Sequence, residues 1–293
     1  MPINKNTTQV GFIGLGIMGR PMAGHIMDAG FSLHVYTRTK KSGAPLLERG
    51  AQWHDSPAEV SRHADIIITI VGYPKDVEET YFGPEGLLAG LQSGATLIDM
   101  TTSEPQLAIR IAKAAAEKGA HALDAPVSGG DVGARDAKLS IMVGGEKANF
   151  LGVLPLLQLL GTNIVLQGPA GAGQHTKMCN QIIIAGTILG VAEGLSYAKR
   201  AGLDPKTVLD CIGGGAAGGF QLNVLGARMI EDDFAPGFIV RHMIKDLTIA
   251  SDEAKAMHAD LPALKLAKQQ FERLRDSGGG DDGTQGVYKV YAP

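Results

Sequence analysis

The first chemical signal in the chain is Gly11-Phe12-Ile13-Gly14-Leu15-Gly16-Ile17-Met18-Gly19. It follows the apolar run Val10 to Ile13 and leads into a helix-like stretch, Arg20 to Ala29. A glycine pattern between a strand and a helix can cradle a dinucleotide. Gly14 permits the tight turn, Gly16 lets the backbone approach a pyrophosphate, and Gly19 lets helix and strand pack closely. The phosphates then meet the positive end of the helix. Gly14, Leu15, Gly16, Ile17, Met18 and Gly19 are therefore candidate cofactor contacts, the alternative being an ordinary glycine-rich turn.

Where a site selective for NAD carries an acidic residue at the end of its second strand, this chain reads Tyr36-Thr37-Arg38-Thr39-Lys40-Lys41. The Arg38 guanidinium, with the Thr37 and Thr39 hydroxyls, suits a ribose 2′-phosphate, so NADP(H) is expected over NAD(H). The plainer alternative is that these cations only solvate a loop. Two more strand ends, at Val71-Gly72-Tyr73-Pro74 and Asp99-Met100-Thr101-Thr102, should border the cofactor, since ligands of open α/β sheets lie outside the carboxyl ends of strands. Thr102 is the candidate for the nicotinamide ribose, unless it merely caps the helix after Pro105.

Two later segments carry chemistry of a different kind. In Asp124-Ala125-Pro126-Val127-Ser128-Gly129-Gly130, small residues can turn several backbone N–H groups towards a carboxylate, and Ser128 adds a hydroxyl donor. In Gly171-Ala172-Gly173-Gln174-His175-Thr176-Lys177-Met178-Cys179-Asn180-Gln181, a helix starting near Thr176 would put Lys177, Asn180 and Gln181 on one face near its start. A lysine beside a carbonyl can donate a proton as hydride arrives, or accept one in the reverse direction. A helix N-terminus, partial burial and a nearby cation such as Lys245 would each favour its neutral form.

The elements that must position these groups follow from pattern. Short apolar runs at Val10 to Ile13, Leu33 to Tyr36, Ile66 to Val71, Thr96 to Asp99, Ala122 to Ala125 and Ser140 to Val143 alternate with helix-like stretches. This is the mark of βαβ units and a mainly parallel sheet. A last strand is expected at Asn163 to Leu166. Glycines and Pro169 then punctuate the chain, and the domain boundary is placed at residues 172/173. Beyond it, helices are expected at about Thr176 to Arg200, Pro205 to Ile212, Leu222 to Glu231, Val240 to His258 and Leu261 to Asp276. The first of these is apolar on most faces and should be buried, with Cys179 as plain core.

The fold class is thus α/β: a Rossmann-type dinucleotide-binding domain over 1–172 and an all-α substrate and dimerisation domain over 173–293, joined by a long helix. A formal charge of −3, from 27 Lys+Arg against 30 Asp+Glu, gives no reason to expect a nucleic-acid or membrane partner. Two cysteines favour a reducing compartment, and the polar start lacks a secretory stretch, so a cytoplasmic location is expected. His175 and His242 lack partners at ligand spacing, so no metal is expected. Gly213 to Gly219 reads as a flexible loop or a plain helix connection.

Taken together, Gly11–Gly19, Asp124–Gly130, Gly171–Gln181 and Lys245-Asp246 resemble, in order and spacing, the four motifs of the β-hydroxyacid dehydrogenase family. That family includes 3-hydroxyisobutyrate dehydrogenases and tartronate semialdehyde (2-hydroxy-3-oxopropionate) reductases, and the likeness extends over nearly the whole chain. It implies hydride transfer between NADP(H) and a small hydroxy acid or its semialdehyde, with Lys177 as general acid and base. Ser128, Gly129 and Gly130 would hold the substrate carboxylate, and Thr102 would touch the cofactor. Lys245 and Asp246 would border the nicotinamide, Asp246 on the catalytic side. Gln181 stands where the family often has Asn, with Asn180 just before it, so either can orient substrate. The ending Gly278 to Gly286 also departs from the common pattern. A homodimer or homotetramer is expected. Other readings are an imine reductase on the same scaffold, oxidative decarboxylation of the 6-phosphogluconate type, or a cofactor-binding scaffold without turnover.

Overall fold

A computed structural model describes residues 3–291. The chain divides into two compact units after Lys177, five residues past the boundary placed from the sequence and inside a helix.

The first unit is built on one sheet, with nine strands among the described residues: β1 (Gln9–Ile13), β2 (Ser32–Tyr36), β3 (Gln52–Trp53), β4 (Ile66–Thr69), β5 (Thr96–Asp99), β6 (His121–Asp124), β7 (Val127–Ser128), β8 (Leu139–Gly144) and β9 (Gly161–Gly168). Their order is β3-β2-β1-β4-β5-β6-β8-β7, with β9 also paired to β8. The pairs from β3 through to β6, and β8 with β9, are parallel, whereas β8 runs antiparallel to β6 and β7. Strand order therefore reverses between β1 and β4, and this switch point is where open sheets of this kind leave a crevice.

Alternation along the central strands buries both faces. Val10, Phe12, Ile66, Ile68 and Ile98 enter one core, while Ile13, Ile67 and Leu97 enter the other. Helices cover each face, and this explains why these strands read as continuous apolar runs. The run Ile66 to Val71 stops pairing at Thr69, because Ile70 and Val71 already belong to the turn at the strand's carboxyl end. The two-residue strands β3 and β7 were not expected.

The second unit is helical, its only strand-like feature among the described residues being an isolated bridge between Ile239 and Gly283. The long helix, Ala172–Arg200, begins a turn earlier than expected. Its Ala185, Ile188, Ala192 and Leu195 pack with Met243, Leu247 and Ala250 of helix Val240–Ala256 and with Phe271 and Leu274 of helix Pro262–Leu274. By length and composition this helix could cross a membrane, but those side chains form the unit's core. The opposite side is open. Ile183 is 66% and Tyr197 73% exposed, and Cys179 is exposed too, so the buried reading of this helix and of Cys179 is corrected. Gly213 to Gly219 simply connects helix Pro205–Ile212 to the turn beginning at Gln221.

Behind the carboxyl ends of β4 and β5 lies a buried polar chain. The Tyr81 and Thr69 hydroxyls share a hydrogen bond of 2.8 Å, Thr69 donates to Asp99 Oδ1 at 2.9 Å, and the Thr101 N–H donates to the same oxygen at 3.1 Å. Burial pushes the Asp99 carboxyl up to about 6. The Thr101 and Thr69 bonds pull it down, and Asp124 adds a small upward push. The unfolded chain releases this proton near pH 4 and the folded chain retains it until about pH 6, so stability falls as pH rises through that window. Asp99→Asn keeps an acceptor without the charge. The unfolding free energy of the variant relative to the parent should rise by about 2 kcal/mol between pH 4 and pH 7, measured by urea titration. A difference independent of pH would show that Asp99 ionises normally.

Candidate active site

The glycine turn forms at the switch point. Gly14 has φ +95°, and a Cβ there would run into the Ile70 carbonyl oxygen, so no larger residue fits without a shift. Its N–H donates to Tyr36 O at 3.0 Å, tying the turn to β2. At Gly16 a Cβ would meet nothing within 4 Å, and Ile17 is 67% exposed, so the backbone here is open to an approaching group. Helix Gly19–Asp28 starts beside it with no side chain capping its end and no acidic residue in its first turn. The Arg20 N–H already bonds Gly16 O at 3.1 Å and Pro21 has no N–H, so the positive helix end and the open backbone at Gly16 are what this turn offers a pyrophosphate. Leu15 is buried beneath the turn, and Met18 takes the capping position.

Arg38 lies two residues past β2, its side chain 78% exposed, with Thr37 half-buried and Thr39 exposed beside it. Lys40 is turned away, its Nζ 4.8 Å from the Trp53 ring centre. No carboxylate was expected here, yet Asp76 reaches in from helix Pro74–Phe82 and pairs with Arg38 at 3.1 Å. The correction comes from tertiary structure, since Asp76 stands 38 residues further along the chain.

Val71, Gly72 and Tyr73 line the carboxyl end of β4, where the Val71 N–H donates to Thr101 Oγ1 at 2.9 Å. Thr102 is half-buried at the end of β5. It does not occupy the capping position of helix Pro105–Glu117, which falls to Glu104. Its neighbour Thr101 bonds Val71 N and Asp99.

The lysine segment is set by Asp124. One carboxylate oxygen accepts the Gly171 N–H and the other the Gln174 N–H, both at 2.8 Å, so the start of the long helix is capped by a residue of β6. Gly173 looks like a linker glycine in the sequence. A Cβ at that position would collide with Asp124 O and Met142 O, so it is there to let the helix lie against the sheet. Burial raises the Asp124 carboxyl above its ordinary range while the Gly171 and Gln174 N–H bonds lower it. Gln174 is fully buried, accepting from Ser103 N at 2.9 Å and donating to Thr101 O at 2.7 Å. Neither role was foreseen.

With the helix starting at Ala172, Lys177 belongs to its second turn rather than its first. It is 5% exposed, and its Nζ donates to Val127 O at 2.8 Å. The amine is thereby placed beside Ser128, Gly129 and Gly130. Gly129 and Gly130 have φ +130° and +63°, and this irregular turn is only half-buried to exposed. Structure thus brings together Lys177 and the expected carboxylate-holding turn within the first unit.

Within the second unit, Gln181 donates to Asp246 Oδ2 at 2.6 Å and accepts from Asn180 Nδ2 at 2.7 Å. Lys245 Nζ lies 2.9 Å from Asp246 Oδ1, and the Asp246 side chain is fully buried. Gln181 is committed at both ends, so Asn180, half-buried, is the better placed of the pair to meet a ligand. Burial lowers the His242 pKa, and neighbouring Lys245 lowers it further.

Comparisons with known proteins cover nearly the whole chain. Residues 9–168 match the model of the NAD-binding domain of 6-phosphogluconate dehydrogenase. Residues 171–291 match that of the NAD-binding domain of NADP-dependent 3-hydroxyisobutyrate dehydrogenase. An uncharacterized oxidoreductase of Bacillus subtilis, YkwC, is 53% identical, covering 96% of this chain and 98% of its own. The 2-hydroxy-3-oxopropionate reductase of Escherichia coli is 43% identical over 92% of each chain. Among solved structures, 3-hydroxyisobutyrate dehydrogenase of Mycobacterium tuberculosis with L-serine superposes with a TM-score of 0.88, at 28% identity over 97% of this chain and 98% of that one.

Asp124→Ala would leave the Gly171 and Gln174 N–H groups buried without an acceptor. Chemical denaturation should show a loss of about 2–3 kcal/mol, more than an exposed helix cap costs. A loss under about 0.5 kcal/mol would mean that the helix start does not depend on this carboxylate.

Proposed function

Because the chain belongs to the β-hydroxyacid dehydrogenase family, we propose that it moves a hydride between NADP(H) and a small β-hydroxy acid or its semialdehyde, with Lys177 as general acid and base. The observation that carries this reading is the bond from the buried Lys177 Nζ to Val127 O. The proton-transfer group's anchor, Val127, is the residue immediately before Ser128, where the carboxylate would be held. So short a spacing suits an acid whose reacting carbon lies within two bonds of its carboxylate. L-serine, present in the Mycobacterium tuberculosis structure, has that layout of carboxylate and β-hydroxyl.

A nicotinamide dinucleotide, when bound, supplies or accepts the hydride. Gly14 to Gly19, Val71, Gly72, Tyr73 and Thr102 would hold it, and Thr37, Arg38 and Thr39 would take the 2′-phosphate. Ser128, Gly129 and Gly130 fix the substrate carboxylate by backbone N–H and hydroxyl donors. During reduction negative charge grows on the carbonyl oxygen, and the Lys177 ammonium gives it a proton. During oxidation the neutral amine takes the hydroxyl proton. The Val127 carbonyl keeps the amine aimed, since a flexible lysine side chain would otherwise lose orientation. Asn180 orients the substrate, and Asp246 holds Gln181 in place.

A second copy of the chain is the partner in this reading, supported by the exposed Ile183 and Tyr197 on the long helix. Gel filtration should give the mass of two or four chains, and a single-chain mass would overturn that part.

The catalytic part is tested with tartronate, succinic and methylmalonate semialdehydes and glyoxylate, followed by NADPH absorbance. At least one should turn over, and Lys177→Ala should lower kcat by about 10²-fold or more while cofactor binding persists. Turnover retained within about threefold would remove Lys177 from the proton-transfer role. Binding of NADPH without turnover of any acid would favour a scaffold.

A further inference from the structure

Asp76 lies outside every motif that the sequence singles out, yet it ties together the two loops flanking the glycine turn. Arg38 follows β2 and Asp76 follows β4, and β1 lies between those strands. The 3.1 Å ion pair therefore links loops on either side of the switch point. Asp76 is held twice, Oδ1 meeting Arg38 Nη1 and Oδ2 accepting the Tyr73 backbone N–H at 3.1 Å. Its side chain is 19% exposed against 78% for Arg38, so the carboxylate is the fixed member and the guanidinium the movable one.

A phosphate seated on Arg38 would share that guanidinium with an anion already bound. Two anions on opposite sides of one cation repel even in water, and a phosphate brings up to two charges to the encounter. The 2′-hydroxyl of NAD(H) brings no charge and can itself donate to a carboxylate, the part an acidic residue plays at the end of strand two in NAD-selective sites. We propose that Asp76 is a cofactor-specificity residue whose carboxylate restrains the preference for a 2′-phosphorylated dinucleotide that Arg38 creates. This rests on the NADP(H) reading given above. The competing role is structural: Asp76 sits at the third position of helix Pro74–Phe82 and closes a capping box with Tyr73. Loss of a cap alone would shift the two dinucleotides together.

The test is calorimetric titration of the full chain, without substrate, with NADP⁺ and NAD⁺. Asp76→Asn keeps an oxygen for the Tyr73 N–H, and Asp76→Ser is a second way to remove the charge while leaving a capping hydroxyl. Either should raise the ratio of NADP⁺ to NAD⁺ affinity by about threefold to tenfold. A ratio unchanged or lowered in both variants, thermal unfolding confirming that they are folded, overturns the proposal. Arg38→Ala run alongside separates the two levels. If it weakens NADP⁺ while sparing NAD⁺ and the Asp76 variants leave the ratio alone, only the role of Asp76 falls. If Arg38→Ala leaves NADP⁺ affinity intact, the phosphate reading of Arg38 and the proposal fall together.

Discussion

Two backbone N–H groups at the start of a 29-residue helix end on one buried carboxylate, that of Asp124, and the placement of Lys177 on that helix follows from the capping. The first N–H groups of a helix have no partner within it, and burying them against a sheet is tolerable only if an acceptor is supplied. A carboxylate answers this need and also meets the positive helix end. Its own burial is costly and pushes its pKa upward, against the pull of the N–H bonds it accepts. Because Asp124 is the last residue of β6 and Val127 begins β7, the strand that caps the helix also leads directly to the carbonyl that holds Lys177.

The same constraint extends sideways through Gln174, one residue past the glycine that lets helix and sheet touch. Its side chain bonds Ser103 N and Thr101 O, and Thr101 in turn bonds Val71 N and Asp99. The carboxyl ends of β4, β5 and β6 are thus tied to one helix start by a continuous set of hydrogen bonds. Such a network is costly when incomplete and rigid when satisfied. Preorganised strand ends are what a dinucleotide crevice and a hydride-transfer geometry both require, since neither tolerates loose groups.

Much of this was legible in the sequence for a definite reason. Strands buried on both faces appear as unbroken apolar runs, and the glycine turn carries its constraint in residue type, because only glycine fits at Gly14. The segments around Ser128 and Lys177 were recognisable as ordered motifs. Other features depend on partners remote in sequence. Strands β3 and β7 exist only as two-residue pairings to neighbours, too short for any period. The helix start was read a turn late because Gly171 and Gly173 resemble a linker until Asp124, some fifty residues earlier, is seen receiving the Gly171 and Gln174 N–H groups. Ile183 and Cys179 were read as core because the long helix is apolar on nearly every face, and periodicity cannot then tell the packed side from the open one.

The two cationic sites of the first unit differ in kind. Lys177 is buried, held by a carbonyl, and seated on a helix whose start is locked into a polar network, so a change there propagates to groups it does not touch. Arg38 is exposed, and its pair with Asp76 is of the surface class that contributes at most about 1 kcal/mol to stability. A substitution at Arg38 therefore disturbs the fold little. The buried amine is fixed by the architecture, whereas the Arg38–Asp76 pair lies at a surface that the architecture leaves free to vary.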